Sequence, residues 1–328
     1  MFIKFFRTRI SFQQISLLLI ISLLLWLDVF INPGQIAKTE NPSPLFYQIY
    51  KLLENHYWIN TILAFLILLS EGIFLNYIIR NENFISRNSY LPMLIFFILM
   101  SSSTNLLTIT PALFSNLFLI LSLRIIFNFY DEEEPFLQVF NAGFFIAIAS
   151  LFYLPSAIFL LLFWISFFVF SQYTWRNWLI SIIGFITPYL FLIVYYFWFD
   201  KLEIFVDNYL MFFMNFNSPI ADYSIFAYVF LISFVFLLLL SLNNLLLKLN
   251  EKVIKIRKLS LILIWFIVFA IFSFVYAGSN LIIHSTILFI PASVIIANYF
   301  FYVKKLFWVN VLFTIMLLAI FLDKFNLL

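Results

Sequence analysis

Apolar residues in this chain fall in long runs separated by short polar breaks, and they rarely alternate with period two. A run of ~20 apolar residues is what an α-helix needs to cross the hydrocarbon layer of a bilayer. Such runs predict spans at roughly 13–31, 56–79, 88–102, 106–129, 138–153, 155–172, 177–198, 224–246, 260–277, 281–302 and 306–323. The third and fifth are short, which suits tilted or partly re-entrant helices. No soluble domain, heptad array or internal repeat interrupts the series. The pattern therefore predicts an all-α, polytopic helical bundle of about 11 spans, with residues 1–328 as a single transmembrane domain.

Charge orients the bundle. With the amino terminus cytoplasmic, fourteen cations fall on the cytoplasmic side: Lys4, Arg7, Arg9, Arg80, Arg87, Arg124, Arg176, Lys248, Lys252, Lys255, Arg257, Lys258, Lys304 and Lys305. Four fall outside: Lys38, Lys51, Lys201 and Lys324. Cytoplasmic loops keep Lys and Arg because moving them outward is unfavourable, and removing one central span would invert every later loop. The carboxyl terminus is then periplasmic. The basic stretch Met1–Arg9 and the apolar run after it resemble a signal peptide, but the run is long and lacks small residues suited to cleavage, so it reads as a retained first span. Trp26, Trp58, Trp175, Trp178, Trp198 and Trp308 fall near span ends, where an amphipathic ring suits the interface, whereas Trp164 and Trp265 do not.

Composition agrees and narrows the chemistry. Hydrophobic residues make up 65% of the chain and charged residues 10%, too apolar for a water-soluble fold of this length. There is no cysteine, which removes disulfides, thiolate metal sites, iron–sulfur clusters and cysteine nucleophiles. Two histidines, His56 and His284, are too few for a four-histidine iron centre or haem–copper chemistry. Five glycines leave no phosphate-cradling loop. Serine-hydrolase elbows and zinc-binding helices are missing too. The basic residues follow topology and form no nucleic-acid patch. No metal or cofactor is implied, except a divalent cation if the outer-face carboxylates serve phosphate chemistry.

Two outer loops exceed what connection needs, and each predicts an interfacial helix. In the first, about 32–55, Ser43 is placed to cap a helix that starts with Pro44. Leu45, Phe46, Ile49, Leu52 and Leu53 form its apolar stripe, so it should lie along the membrane surface. In the second, about 199–223, Asp200, Glu203 and Asp207 share one face if helical.

Ionisable groups gather on this outer side. Asp28, Glu54 and His284 are candidate catalytic residues, as base, metal ligand or phosphate binder, and His56, Glu203 and Asp207 are candidate substrate-binding residues. Each has a plainer reading. Asp28 ends a span, His56 beside Tyr57 and Trp58 anchors at the interface, Glu203 and Asp207 form the wet side of a surface helix, and His284 pairs inside a span. The acidic run Asp131–Glu134 before Pro135 reads as a solvated turn.

Glu71 stands apart, because it lies within a span and is followed by Gly72. An intramembrane carboxylate costs ~2.5–3.5 kcal/mol on insertion scales and is a functional candidate by default. The alternative is a neutral Glu71 hydrogen-bonded to a neighbouring helix, with Asn76 or Asn116 as partner.

Residues 88–127, NSYLPMLIFFILMSSSTNLLTITPALFSNLFLILSLRIIF, and 141–170, NAGFFIAIASLFYLPSAIFLLLFWISFFVF, followed by TWRNWLISIIGFITPYLF, resemble an uncharacterised family of bacterial polytopic inner-membrane proteins from Gram-negative anaerobes and gliding bacteria. That resemblance implies an inner-membrane location. The first outer loop with Asp28, Glu54 and the 43–55 helix, and HSTILFIPASVIIANYF from His284, also resemble the architecture of C-type membrane glycosyltransferases, without the paired acidic dipeptide or large outer domain of that superfamily. This second resemblance implies transfer from a polyprenyl-phosphate-linked sugar at the periplasmic face. Two further readings stand beside it: a non-enzymatic subunit or scaffold of an envelope assembly or secretion machine, partnered by other membrane proteins and by lipid, and a transporter or lipid flippase using Glu71. Pro111, Pro188 and Pro291 are candidate helix breaks for the last.

Overall fold

The computed structural model of the chain describes residues 12–34, 43–85, 89–131, 135–203, 224–274, 281–303 and 306–324. The main described elements are α1 (Phe12–Ile31), α2 (Pro44–Leu53), α3 (Tyr57–Asn81), α4 (Leu91–Met100), α5 (Pro111–Asn128), α6 (Phe136–Phe152), α7 (Phe159–Phe170), α8 (Trp175–Trp198), α9 (Ile225–Leu247), α10 (Ile254–Ser273), α11 (Leu281–Tyr302) and α12 (Leu306–Lys324). Short 3₁₀ turns join several of them. Eight described helices are long and apolar enough to cross a membrane: α1, α3, α5 and α8 to α12. The apolar segments Leu91–Met100, Phe136–Phe152 and Leu154–Phe170 are shorter.

Helix starts follow local chemistry. Thr110, Thr174 and Ser224 each accept a backbone N–H of the first turn, capping α5, α8 and α9. Helix α2 starts as the sequence predicts, with Pro44 in its first turn, but Ser43 makes no side-chain cap. Its Pro44 and Phe46 are buried and it packs on α6 and α3, while Leu52 stays exposed. Helix α10 begins at Ile254, six residues before the predicted span. Its first turns carry Lys255 and Lys258, which the neighbouring helix ends hold in place. Leu154–Ile158 forms a 3₁₀ turn, so the predicted span 155–172 is a turn followed by the short helix α7.

Side-chain contacts sort the helix ends into two groups. At one end, Trp26 packs on Phe65 and donates to Ser101 Oγ at 3.2 Å. There too, Asn60 meets Ile109, His284 meets Tyr153 and Ser273, and Lys324 donates to the Leu25 carbonyl at 2.6 Å. At the other end, Lys255 pairs with Glu82 at 2.7 Å, Arg124 lies over Tyr77, and Lys258 lies over Tyr130. These are called the Asp28 end and the Glu82 end below. From α3 onward, successive described helices run in alternating directions between them.

The tightest crossing is α6 on α8. A Cβ on Gly143 would fall 2.4 Å from the Ser181 carbonyl oxygen, and one on Gly184 would fall 2.3 Å from that of Phe140. Only glycine permits that approach, as at small-residue crossings in membrane bundles. Further along, Ser150 and Tyr189 share a hydrogen bond of 2.6 Å. The opposite side of α8 exposes Leu179, Ile183, Ile186, Leu190 and Phe197. Trp26, by contrast, is buried, so it is a packing residue and not an interface anchor.

Candidate functional site

The outer-face candidates occupy different environments. Asp28 is half-buried on α1, and its charge acts with that of Asp323 on the buried Lys324 ammonium. Ser224 donates to Asp323, so this polar knot ties α1, α9 and α12 together. Glu54 is exposed and accepts from Tyr50 Oη at 3.3 Å, one turn back along the same helix end. His56 is exposed at the start of α3. Glu203 is exposed, and Asp207 lies outside the described residues.

His284 is in the core, fully buried on α11. Tyr153 Oη lies 2.9 Å from Nδ1 and Ser273 Oγ lies 2.8 Å from Nε2. Ser273 already donates its proton to the Ala270 carbonyl at 2.7 Å. Its oxygen must therefore accept from His284, which puts the ring proton on Nε2 and leaves Nδ1 to accept from Tyr153. Both ring nitrogens are spoken for. Its hydrogen-bond partners are Tyr153 and Ser273, not Asp28 or Glu54. Among the described residues, no three His, Asp or Glu side chains gather as a metal would require.

A different group of polar side chains converges inside the bundle. Helices α3, α4, α11 and α5 contact one another in cyclic order, forming a four-helix ring. Asn60, Ala64, Leu68, Glu71, Leu75 and Ile78 form one buried stripe of α3 at three- and four-residue spacing. The Asn60 carboxamide oxygen accepts the Ile109 N–H at 2.9 Å, so this stripe faces the start of α5. The next position, Gly72, faces α4, because a Cβ there would lie 2.9 Å from Phe97 Cε2 and 3.3 Å from Met93 Cγ. Glu71 is thus directed between α5 and α4, into the ring.

Two contacts fix the level of α5 beside α3. Asn60 meets Ile109 near one end and Tyr77 meets Arg124 near the other. The helices run parallel, with an offset of roughly 48 positions at 1.5 Å per residue. Along the helix axes, Asn116 is therefore offset from the level of Glu71 by about one turn (~5 Å), toward the Asp28 end. It belongs to the buried stripe Leu113, Asn116, Ile120, Leu123 and Phe127. Phe114 and Phe118 on the opposite side stack on Phe152 of α6. Asn116 consequently faces the ring as well.

Glu71 and Asn116 are fully buried, and neither carboxylate oxygen nor either carboxamide atom has a hydrogen-bond partner among the described residues. The sequence reading that pairs Glu71 with Asn76 or Asn116 is not realised. Asn76 Oδ1 on α3 and Asn298 Oδ1 on α11 are also buried without a partner. An unpaired buried amide costs ~1–3 kcal/mol, and a carboxylate more. Unmet polarity of this kind is costly in the interior.

The fourth side of the ring adds a helix end. All of α4 is buried, and the helix stops at Met100. Ser101, Ser102, Thr108 and Thr110, in the irregular segment that follows, are buried too. Non-helical backbone is tolerated in a membrane only where protein covers it. The Phe97 contact with Gly72 puts the last turn of α4 beside Glu71, and a helix C-terminus carries partial negative charge. Sequence reading singled out Glu71 but treated Asn116 only as a partner. The signal for Asn116 was its place in an apolar stripe, and its neighbours needed the packing of α3 on α5.

Described residues that are all-helical, with eight membrane-length apolar helices, three of which line a polar group together with the short α4, define a polytopic membrane protein. Residues 44–327 match the model of a family of unknown function, DUF6427, and the chain belongs to that family. No curated protein and no solved structure matches it.

Proposed function

We propose that this protein is a bacterial inner-membrane transporter in which Glu71 is the intramembrane cation- or proton-carrying group. The observation that carries the reading is a fully buried Glu71, both carboxylate oxygens without a partner, inside a ring that includes a short helix ending at Met100 within the bundle. Ionisable residues retained at that depth mark ion and proton pathways in membrane bundles. Helix ends buried within the bundle bring partial charge to such sites in transporters. In this reading all eleven helices other than α2 cross the bilayer, with the Glu82 end cytoplasmic. Lys252, Lys255, Arg257, Lys258, Arg80 and Arg124 then face the cytoplasm, as their positive charge favours.

A glycosyl-transfer reading with His284 on a carrier phosphate draws no support from the ring, because both its nitrogens are engaged and it is buried. The transport reading is tested by reconstituting the purified protein on a solid-supported membrane and recording currents after a pH or sodium jump. Wild type should give a current that Glu71→Gln lacks. Identical traces from the two proteins would refute it.

A further inference from the structure

Glu71 and Asn116 are close in level but make no hydrogen bond to each other or to anything else described. A hydrogen bond reaches 2.7–3.2 Å between heavy atoms. A bound cation joins oxygens that stand further apart, since each oxygen needs to approach only the ion. A proton on Glu71 would leave the Asn116 carboxamide with nothing.

The groups present are oxygen ligands of low total charge. Glu71 supplies one carboxylate, Asn116 one carboxamide oxygen, and the last turn of α4 supplies backbone carbonyls, of which Phe97, Ile98 and Leu99 accept from the N–H groups of Ser101 and Ser102 and keep a second lone pair. Helix C-termini and unwound carbonyls coordinate sodium or protons in membrane transporters of several folds. One carboxylate balances one positive charge in a low-dielectric interior. A divalent ion would leave a net charge there, and divalent sites generally gather more carboxylates.

We infer that Glu71, Asn116 and the C-terminal end of α4 form a binding site for one dehydrated monovalent cation of sodium size. The inference rests on the transport reading for its purpose but not for its geometry. Binding is measured apart from transport, by thermal denaturation of the full-length protein in detergent. Sodium is titrated at constant ionic strength against potassium and N-methylglucamine. Sodium should raise the wild-type Tm by at least ~2 °C over the other two cations. The rise should vanish in Glu71→Gln and in Asn116→Ala, and if the first fails to fold the second carries the same test.

Equal Tm values in all three cations would overturn the site, and so would a sodium response kept by either variant. If sodium has no effect yet the pH-jump current depends on Glu71, the site is wrong and proton transport stands. If sodium binds through both residues and no current appears, the site stands and the transport reading falls.

Discussion

Asn60 reaches from α3 to the backbone of Ile109, accepting its N–H at 2.9 Å just before α5 begins. Asn60 is fully buried, and this bond sets the level of α5 against α3. It therefore decides that Asn116 is offset from the level of Glu71 by about one turn along the helix axes. Asn60→Ala leaves the Ile109 N–H without its acceptor in the interior. The expected loss is ~1–3 kcal/mol. A Tm equal to wild type would show that the bond does not fix this register.

The α6–α8 crossing predicts a sharp contrast among glycines. Gly184→Ala and Gly143→Ala each push a methyl into a carbonyl oxygen at 2.3–2.4 Å, so the helices must part. A cost of ~1–3 kcal/mol or more follows from overpacking. Gly34→Ala is the control, since its nearest contact would be an ordinary 3.8 Å to Thr108 Cγ2. Thermal stability of the three variants side by side should separate the first two from the third.

The His284 ring joins α6, α10 and α11 through its two hydrogen bonds. His284→Phe leaves the Tyr153 hydroxyl buried and unpaired, at ~1–3 kcal/mol. Tyr153→Phe should restore part of that loss in the His284→Phe background while lowering stability on its own. Such coupling is what a double-mutant cycle reads. Strictly additive losses would mean that the two residues do not pair.

Lys252 lies outside the membrane-spanning helices, over the Phe84 ring at 4.8 Å. Burial, with the nearby charge of Lys248, lowers its pKa from an ordinary 10.5 to about 8. The unfolded chain therefore holds this proton over a range where the folded one has released it, so stability rises with pH between about 8 and 10.5. Below that window the buried charge is a full penalty. Lys252→Met should raise Tm at pH 7, and the gain should shrink toward zero as pH approaches 10.5. A gain independent of pH would point to packing instead of charge.

The cysteine-free chain allows a clean test of orientation. Cysteines placed at Lys51 or Lys201 should react with a membrane-impermeant maleimide in intact spheroplasts. Cysteines at Arg80 or Lys255 should react only after permeabilisation. Labelling of Lys255→Cys from outside would reverse the proposed orientation.

The sequence by itself determined the helical membrane class, because apolar runs of bilayer length have few other physical solutions. It also located most helices to within a few residues. Its larger misses have local causes. Lys255 and Lys258 read as loop, yet they extend α10, since Glu82 and Tyr130 hold their charges. The span at 155–172 breaks because Leu154–Ile158 winds as a 3₁₀ turn. The same pattern of charges singled out Glu71, whose cost in lipid depends on residue type and depth alone. What Glu71 faces was decided only by tertiary structure. Asn116 is forty-five positions away in the chain and carries no charge to announce it. Their proximity follows from the Asn60–Ile109 bond and from Gly72 letting α4 approach, and packing between helices of similar apolar character leaves little trace in a sequence. His284 shows the same limit from the other side. Its position suggested chemistry at an outer face, and its neighbours Tyr153 and Ser273 turn it into a buried link between three helices.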